Sequence, residues 1–513
     1  MNTRRLLRPA LIAVLLSSAA FAQEQIVPDG PGINFAAPIV ELFEPADNVP
    51  AAQMVPTGFT VVQGIRLRND LLSRLAPGKQ FTITPEPGVV ISCIVSEIRG
   101  SADRNRVVVG LAGQDSAGHV HFSTHEDATA MLLDVPALKL RYRLQFAGGG
   151  LYQVWKIDES QFPPEECPGH GVVPELPRVL EPDDDDYIPP EAMEPDFGER
   201  VGGGCTAGTP ILDHMVVYTA AARDAMGGTS AIRAEAALAV ELMNTACANS
   251  AISTRARLVY CNLITYTEGV DQDEDLDRLR GTSDGYMDSV HSTRDTVNAD
   301  MVILYNNQGS GLGYCPGGTP SYAGSPFCTA AWWRAAATYT HAHEVGHNLG
   351  CGHNTADGGA CGPAYGVGWR WTGNDSNGYC SVMAYGTSFY SRVLHYSNPS
   401  VTYQGVATGV TIGLANQAHN TRVITDNDNT VEGFELTRYD IYVDIGSSPL
   451  VEIGTYAFPY NTLIEGVNAI DVPNTGAAEP PTLYLRNSTT VNLTISKEMT
   501  IVPCGGAVTI GNP

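Results

Sequence analysis

One run of eleven residues constrains this chain more than the rest of its 513 residues. His343-Glu344-Val345-Gly346-His347-Asn348-Leu349-Gly350-Cys351-Gly352-His353 reads HExxHxxGxxH. If its first half is helical, His343 and His347 lie four residues apart and project from one face, where two imidazoles can share a metal ion. Glu344 occupies the adjoining face. Gly350 can adopt a backbone conformation closed to other residues, so the chain can leave the helix there and return His353 as a third nitrogen ligand. Three protein ligands leave one position for water, which is the arrangement of a catalytic zinc rather than a structural one. The chemistry expected is hydrolysis of an amide bond by zinc-activated water, with Glu344 as the general base that later hands the proton to the leaving amine. With 12 His and 53 Gly in the chain, chance would produce the pattern in on the order of one chain in ten thousand. His214, His341 and His395 have no partner at ligand spacing, and structural or surface roles are expected for them.

About thirty residues further on, Cys380-Ser381-Val382-Met383-Ala384-Tyr385-Gly386 places a tyrosine two residues after a methionine. An extended zinc motif followed by a Met-containing turn resembles the metzincin clan of metallopeptidases. The resemblance implies that Met383 forms an apolar floor under the three histidines, and that Tyr385 stands near the metal as a ligand or oxyanion donor. Leu212 to Ala222 (LDHMVVYTAAA), Tyr396-Ser397-Asn398-Pro399 and the segment 415–421 are similar to bacterial reprolysin-like enzymes, including the peptidyl-Asp metalloendopeptidase type. The likeness spans roughly 209–435. One departure is Asn354, where reprolysins usually carry Asp directly after the third histidine. In metzincins the pocket for the residue after the scissile bond lies between the zinc helix and the segment after the Met turn, here 387–398. Arg392 is the one charged residue of that stretch, so the resemblance makes it a candidate for selecting an acidic side chain in this S1' position.

Arg4, Arg5 and Arg8 precede an apolar run over 10–20, and Ala20-Phe21-Ala22 offers a small-x-small cleavage site. This reads as a secretory signal peptide cut after Ala22, leaving an extracellular protein with no integral membrane segment. The length predicts several domains. A formal net charge of −25 argues against nucleic acid as a partner, and the partners expected are protein or peptide substrates of a monomer. Much of that charge is local: the segment 165–200 holds 12 acidic and 2 basic residues, or −10 of the total. It is proline-rich and includes the run Asp183 to Asp186, a composition unable to bury enough apolar surface to fold.

The organisation expected is a signal peptide (1–22), a β-rich prodomain (23–162), an acidic linker (163–208), the metalloprotease (209–435) and a small β-rich C-terminal domain (436–513). In the first of these domains, Leu138, Leu140, Tyr142, Leu144 and Phe146 alternate with polar residues at a strand's period of two, and 89–95, 106–109 and 151–157 are further strands. Activation by a cut in the linker fits a zymogen, and a permanent accessory β-domain is the other reading of 23–162. The eleven cysteines suit an oxidising compartment. Favoured bonds are Cys315 to Cys328 and Cys361 to Cys380. Cys167 is either a latency ligand that occupies the zinc's fourth position, as in several metzincin prodomains, or the partner of Cys93, which would leave Cys504 unpaired.

Within 209–435 the order strand, helix, strand, helix, strand and zinc helix predicts an α/β (α+β) catalytic domain with a mixed sheet beside a cleft. The Gly-rich stretch 309–328 is expected to provide an edge to which substrate adds as a strand. The acidic run Asp271 to Asp277 offers oxygen ligands to a Ca2+ ion, although it lacks the Gly and terminal Glu of an EF-hand, and a helix dipole accounts for the same residues. The C-terminal pattern over 458–469 resembles the first rungs of a right-handed β-helix. The rival to an enzyme is a secreted adhesive protein with an inactive protease-like domain; an intact Glu344 argues against it.

Overall fold

The computed structural model describes residues 39–99, 105–113, 117–162, 210–316, 326–435, 440–445, 459–470, 482–487, 489, 494–496, 499–504 and 508–510. The expected signal peptide, the acidic linker, Cys167 and Cys205 lie outside the described residues. Among the described residues no helix is long and apolar enough to cross a membrane.

The N-terminal part is a ten-stranded sheet. Its strands are β1 (Val40–Glu41), β2 (Phe43–Pro45), β3 (Phe59–Leu67), β4 (Gln80–Glu86) and β5 (Val89–Arg99). There follow β6 (Asn105–Ala112), β7 (Gly118–His125), β8 (Ala128–Val135), β9 (Leu140–Gly148) and β10 (Leu151–Ile157), with one short helix, α1 (Asn69–Leu72), after β3. The strand order is β1-β4-β5-β6-β7-β8-β9-β10-β3-β2. β1 and β2 form its two edges yet are separated only by Leu42, so the edges meet and the sheet closes into a barrel. Its interior is lined by Leu42, Phe81, Phe122, Leu133 and Tyr152. β8 (ATAMLLDV) is apolar on both faces, and every residue is buried. Met131, Leu133 and Val135 point into the barrel, while Ala128, Ala130 and Leu132 pack outward against the next domain. Leu138, expected on a strand, lies in a 3-10 turn from Pro136 to Leu138 that ends in a left-handed Lys139 (φ 52°); proline at the first position favours the turn.

The second domain is a five-stranded sheet ordered β12-β11-β13-β15-β14. β11 (Ile211–Tyr218), β12 (Arg255–Leu263), β13 (Met301–Asn306) and β15 (Phe327–Ala331) run parallel, and the short β14 (Gly311–Gly313) is an antiparallel edge. β13 (MVILYN) is buried at every position, as a parallel strand covered on both faces must be. Two helices, α4 (Gln272–Arg280) and α5 (Ser289–Val297), cover one face through Leu276, Leu279 and Val290. The other face carries α3 (Thr229–Asn249), reached from β11 through α2 (Ala220–Met226), and α6 (Thr340–Asn348). The acidic run of α4 serves as caps: Asp271 accepts from the Glu274 amide at 3.0 Å, and buried Asp275 accepts from Tyr266, Gly269 and Asn306. α7 (Asn420–Val431) closes the domain. Three small strands, β16 (Arg370–Thr372), β17 (Gly378–Cys380) and β18 (Tyr390–Arg392), frame the turn between Cys380 and Tyr390.

The C-terminal part stacks three parallel strands in register, β21 (Asp440–Asp444), β22 (Thr482–Arg486) and β23 (Thr500–Cys504). The two-stranded β19–β20 pair (Thr402–Tyr403, Val406–Ala407) precedes them. Within 458–469, helix α8 (Leu463–Ala469) replaces the expected extended rung. The Thr462 hydroxyl caps it by accepting from the Glu465 amide at 3.3 Å, and Thr followed three residues later by Glu is a capping-box start that favours helix. Residues 494–496 form no strand, and Ile510 makes an isolated bridge to Thr489.

The disulfide framework differs from expectation. Cys315 bonds Cys361, while Cys328 and Cys380 are buried free thiols, as are Cys93, Cys247, Cys261 and Cys351. Cys328 belongs to the apolar core beneath α6 rather than facing Cys315. A Cys93–Cys167 bond is excluded by the free Cys93, and Cys504 is disulfide-bonded rather than unpaired, its partner lying outside the described residues.

A seam of buried histidines joins the barrel to the second domain. His121 lies 3.0 Å from Thr245 of α3, His119 lies 3.1 Å from Tyr339 and from His121, and His395 stacks edge-on with Tyr403. Burial pushes His119 down to about 3 and His395 to about 4, and His121 falls well below its usual range, with Arg141 and Arg99 adding to the effect on His119 and His121 respectively. The unfolded chain would protonate these rings near about pH 6.5, so it binds more protons than the fold below that pH, and stability complete above it is lost as pH falls toward 4. Buried Glu241 and Glu235, whose carboxyls burial pushes up, titrate with the opposite sign, so the check is a comparison. His121→Gln is expected to lose less melting temperature between about pH 6.5 and 4 than the unsubstituted chain; parallel curves would count against the assignment.

Candidate active site

The helix α6 starts at Tyr339, held in the left-handed region at φ 60°, and runs from Thr340 to Asn348. It ends in a Schellman turn: the Gly350 amide donates to His347 O at 2.8 Å and the Cys351 amide to Gly346 O at 2.9 Å, with Gly350 at φ 93°. That conformation is open to glycine and strained for other residues. The chain therefore reverses within one turn and carries His353 back over His347.

The three imidazoles converge. His353 Nε2 lies 3.1 Å from His343 Nε2 and 2.8 Å from His347 Nε2. His343 Nδ1 donates to Val382 O and His347 Nδ1 to Cys351 O, each at 2.8 Å. A neutral imidazole has one N–H, so both rings spend it on a carbonyl and turn a bare Nε2 lone pair toward the same point. Lone pairs aimed at one another repel unless a cation lies among them, and the separations approach the roughly 3.3 Å edge expected of a tetrahedron with zinc–nitrogen bonds of about 2.0 Å. His343, His347 and His353 are the one cluster of metal-ligand type found among the described residues, and they would hold the ion.

Met383 is fully buried beneath them. A Cβ at position 346 would sit 2.5 Å from its sulfur, so Gly346 is the residue that lets the methionine approach the helix. Glu344 is flanked by the edge strand: a Cβ at Gly311 would come 2.3 Å from a Glu344 carboxylate oxygen. β14 thus lies directly beside the carboxylate, and the missing side chain of Gly311 is what lets the two approach. Asn348 ties the helix to this edge by donating to Tyr314 O at 2.8 Å and Phe327 O at 3.1 Å. Tyr385 brings its hydroxyl to 3.0 Å from His353 Nε2, at the mouth of the three-histidine cluster.

Two residues that sequence reasoning missed place Tyr385. Asp357 accepts from Tyr385 N at 3.1 Å through one oxygen and from Arg370 at 2.7 Å through the other, and Arg370 also donates to Tyr385 O at 2.9 Å. Both backbone polar groups of Tyr385 are thereby latched to the segment that follows His353. Asp357 is near the motif in sequence, but nothing in spacing points to Arg370, which arrives on β16. Asn354 is explained by geometry: its side-chain oxygen accepts from Ala356 N at 3.0 Å while its side-chain amide donates to Gly368 O at 3.1 Å. An aspartate has no proton to give that second bond.

Arg392 is brought beside the site and is buried. It donates to Ala384 O at 2.9 Å and Thr338 O at 2.8 Å, and it stands 5.9 Å from the centre of the Tyr385 ring. It braces the Met turn against the segment preceding α6. His341 forms a buried chain with His214 (3.0 Å) and Tyr305 (2.9 Å), which pins α6 to β11 and β13; burial pushes His341 down to about 3, keeping it neutral. Cys167, the expected latency ligand, lies outside the described residues.

A mixed sheet, a helix bearing two histidines, a third histidine returned by a glycine turn and a methionine floor define a metallopeptidase domain. Residues 209–397 match metallo-peptidase family M12, of the reprolysin type. The chain is similar to peptidyl-Asp metalloendopeptidases: 32% identical over 299 residues to that of Stenotrophomonas maltophilia strain K279a, and 29% over 296 residues to that of Xanthomonas campestris pv. campestris. The matches cover 57% of this chain, and the chain spans 65% and 64% of the length of those relatives.

The latch on Tyr385 is open to test. Asp357→Asn removes one charged acceptor and is expected to lower kcat by about 10- to 100-fold with metal content unchanged. In a Tyr385→Phe background the same substitution should add little, because the two changes act through one hydroxyl. Full additivity of the two losses would show that Asp357 does not work through Tyr385.

Proposed function

We propose that the protein is a secreted zinc endopeptidase, made as a zymogen, that hydrolyses peptide bonds of extracellular proteins. The observation that carries this reading is the convergence of three Nε2 atoms, two of them on rings whose tautomers are fixed by backbone carbonyls, with Glu344 on the next position of the same helix. Zinc bound by His343, His347 and His353 would supply Lewis-acid polarisation of the scissile carbonyl and of a water molecule. Glu344 would accept a proton from the attacking water and return it to the leaving amine. The Tyr385 hydroxyl, held beside His353, donates to the oxygen that gains negative charge as the carbonyl is attacked. β14 offers its outer backbone edge to an extended substrate, which would align the scissile bond with Glu344. Activation by a cut between about Asp183 and Cys205 and export by the N-terminal leader complete the reading, supported by the composition of those segments.

The expected outcome is chelator-sensitive cleavage of a denatured protein substrate, lost by at least about 10³-fold in Glu344→Gln while circular dichroism and metal content stay the same. No chelator-sensitive cleavage by processed protein would sink the enzyme reading in favour of a binding protein with an inactive site.

A preference for aspartate is carried over as part of the proposal. Arg392 and Arg370 flank Tyr385, and a guanidinium partly freed from its carbonyls would pair with a substrate carboxylate. Arg392→Ala is expected to reduce the ratio of cleavage at acidic over neutral peptides by about 10-fold, the scale of one charged hydrogen bond, and to cost roughly 2–4 kcal/mol of stability through the unpaired Ala384 and Thr338 carbonyls. An unchanged ratio would remove Arg392 from the specificity pocket.

A further inference from the structure

The helix α3 is unusual for the outer layer of an α/β sandwich. Every residue from Ala234 to Asn244 is buried, which is about three turns with no solvent-facing side. One side packs on the catalytic sheet, where Asn244 exchanges hydrogen bonds with Ala256 at 2.7 and 3.0 Å. The opposite side is covered by the barrel. Its sequence has the matching signature: alanine and leucine recur all around Ala234 to Leu242 instead of on one stripe, and a helix apolar all round has to be buried all round.

The barrel meets it with a surface of the same kind. Phe59, Ala130, Leu132 and Trp155 belong to one continuous apolar core with Trp332 and Trp333 of the peptidase domain, and Phe59 packs edge-on against Trp333 at 5.7 Å. Arg143 of β9, 2% exposed, reaches Glu235 at 3.3 Å and donates to Trp333 O at 3.1 Å. Arg141 donates to Arg392 O at 2.7 Å and to Asp134 at 2.7 Å, and Asp134 in turn accepts from Tyr339, the residue at which the zinc helix begins. Arg99 of β5 pairs both oxygens of Glu241 at 2.7 and 2.8 Å. Separating the two parts would bare the outer face of α3 together with two tryptophans, and would remove the partners that hold Tyr339 and Arg392 O.

We propose that the N-terminal barrel is a permanent subunit of the folded peptidase and not a segment shed on activation: after the connection over 163–209 is cut, residues 40–162 stay seated on the face made by α3 and 332–339. The barrel buttresses the zinc helix and the Met turn from behind. This rests on packing and not on the peptidase reading, and its test needs no activity.

A specific protease site replacing the Asp183 to Asp186 run allows the connection to be cut after folding. The background carries Cys504→Ser, so that no disulfide to a cysteine outside the described residues holds the pieces together. The expected result is co-elution of both pieces on size exclusion at the mass of the uncut chain, with separation only in denaturant. Pieces that elute apart, with the peptidase part still folded by circular dichroism, would overturn the proposal. Calorimetry of the uncut chain with Leu132→Asp gives a second reading: the charge placed in the seam is expected to lower the unfolding of barrel and peptidase domain together, by on the order of 10 °C. A transition of the peptidase domain that stays in place while only the barrel's moves would overturn it equally.

Discussion

Two hydrogen bonds to backbone carbonyls, His343 Nδ1 to Val382 O and His347 Nδ1 to Cys351 O, set the requirement that the surrounding structure meets. They fix which nitrogen of each ring is bare and where it points, and they do so with main-chain atoms that cannot rotate away. The requirement propagates outward. Cys351 O is in place because the helix stops in a Schellman turn at Gly350. Val382 O is in place because the Met turn is anchored by Val382 N to His395 O at 2.8 Å, and because Tyr396 reaches across to Ala342 O at 2.8 Å. Arg392 then ties the far end of that turn to Thr338, one residue before the left-handed Tyr339. A three-histidine cluster built this way is preorganised by geometry established well beyond the three rings.

The polar seam between barrel and peptidase domain is better read as a device for register than as a source of stability. A buried ion pair such as Arg143 with Glu235 loses much of its attraction to the cost of removing both charges from water. The stabilising part is the apolar contact of Leu132, Trp155, Trp332 and Trp333, which falls under the ordinary scale of about 25 cal/mol per Å² buried. What the charges add is that only one docking pose satisfies them: Arg143, Arg141 and Arg99 each meet an acceptor on the opposite side. A slipped pose would leave buried charges unpaired, at a cost of several kcal/mol each.

The parts of the site legible in the sequence are those whose geometry is local. His343 and His347 share a helical face by spacing alone, Gly350 announces the reversal, and Met383 with Tyr385 follows as a short signature. The order of β11, α3, β12, β13 and the zinc helix is likewise readable from the period of apolar residues. What is not readable depends on chain segments that meet only in three dimensions. Arg370 carries no signal of its own, since its meaning comes from Asp357 and Tyr385 lying across β16. The pairing of Cys315 with Cys361 instead of Cys328 does not follow from spacing, because β15 turns Cys328 into the core. The alternation of β9 is visible, yet its polar face of Arg141, Arg143 and Gln145 has the composition of a solvent-facing surface and is in fact buried, at 5%, 2% and 2% exposure. Polarity in a strand marks a face that is not a lipid-like core; it does not say whether water or another protein surface lies opposite.

That last ambiguity bears on where this protein's folding unit begins. The family match starts at residue 209, and by composition the acidic stretch before it is a natural boundary. The packing draws the boundary elsewhere. A domain is a unit that closes its own apolar core, and the core containing α3, Trp332 and Trp333 is closed only when Ala130, Leu132 and Trp155 are counted in it. β8 makes the same point from the other side, because a strand apolar on both faces has two cores to serve, one inside the barrel and one outside it. The helix buried all round and the strand buried on both faces are complementary surfaces, each incomplete without the other. By that criterion the barrel and the peptidase sandwich fold as one cooperative body, and the acidic connection joins two halves of a single core.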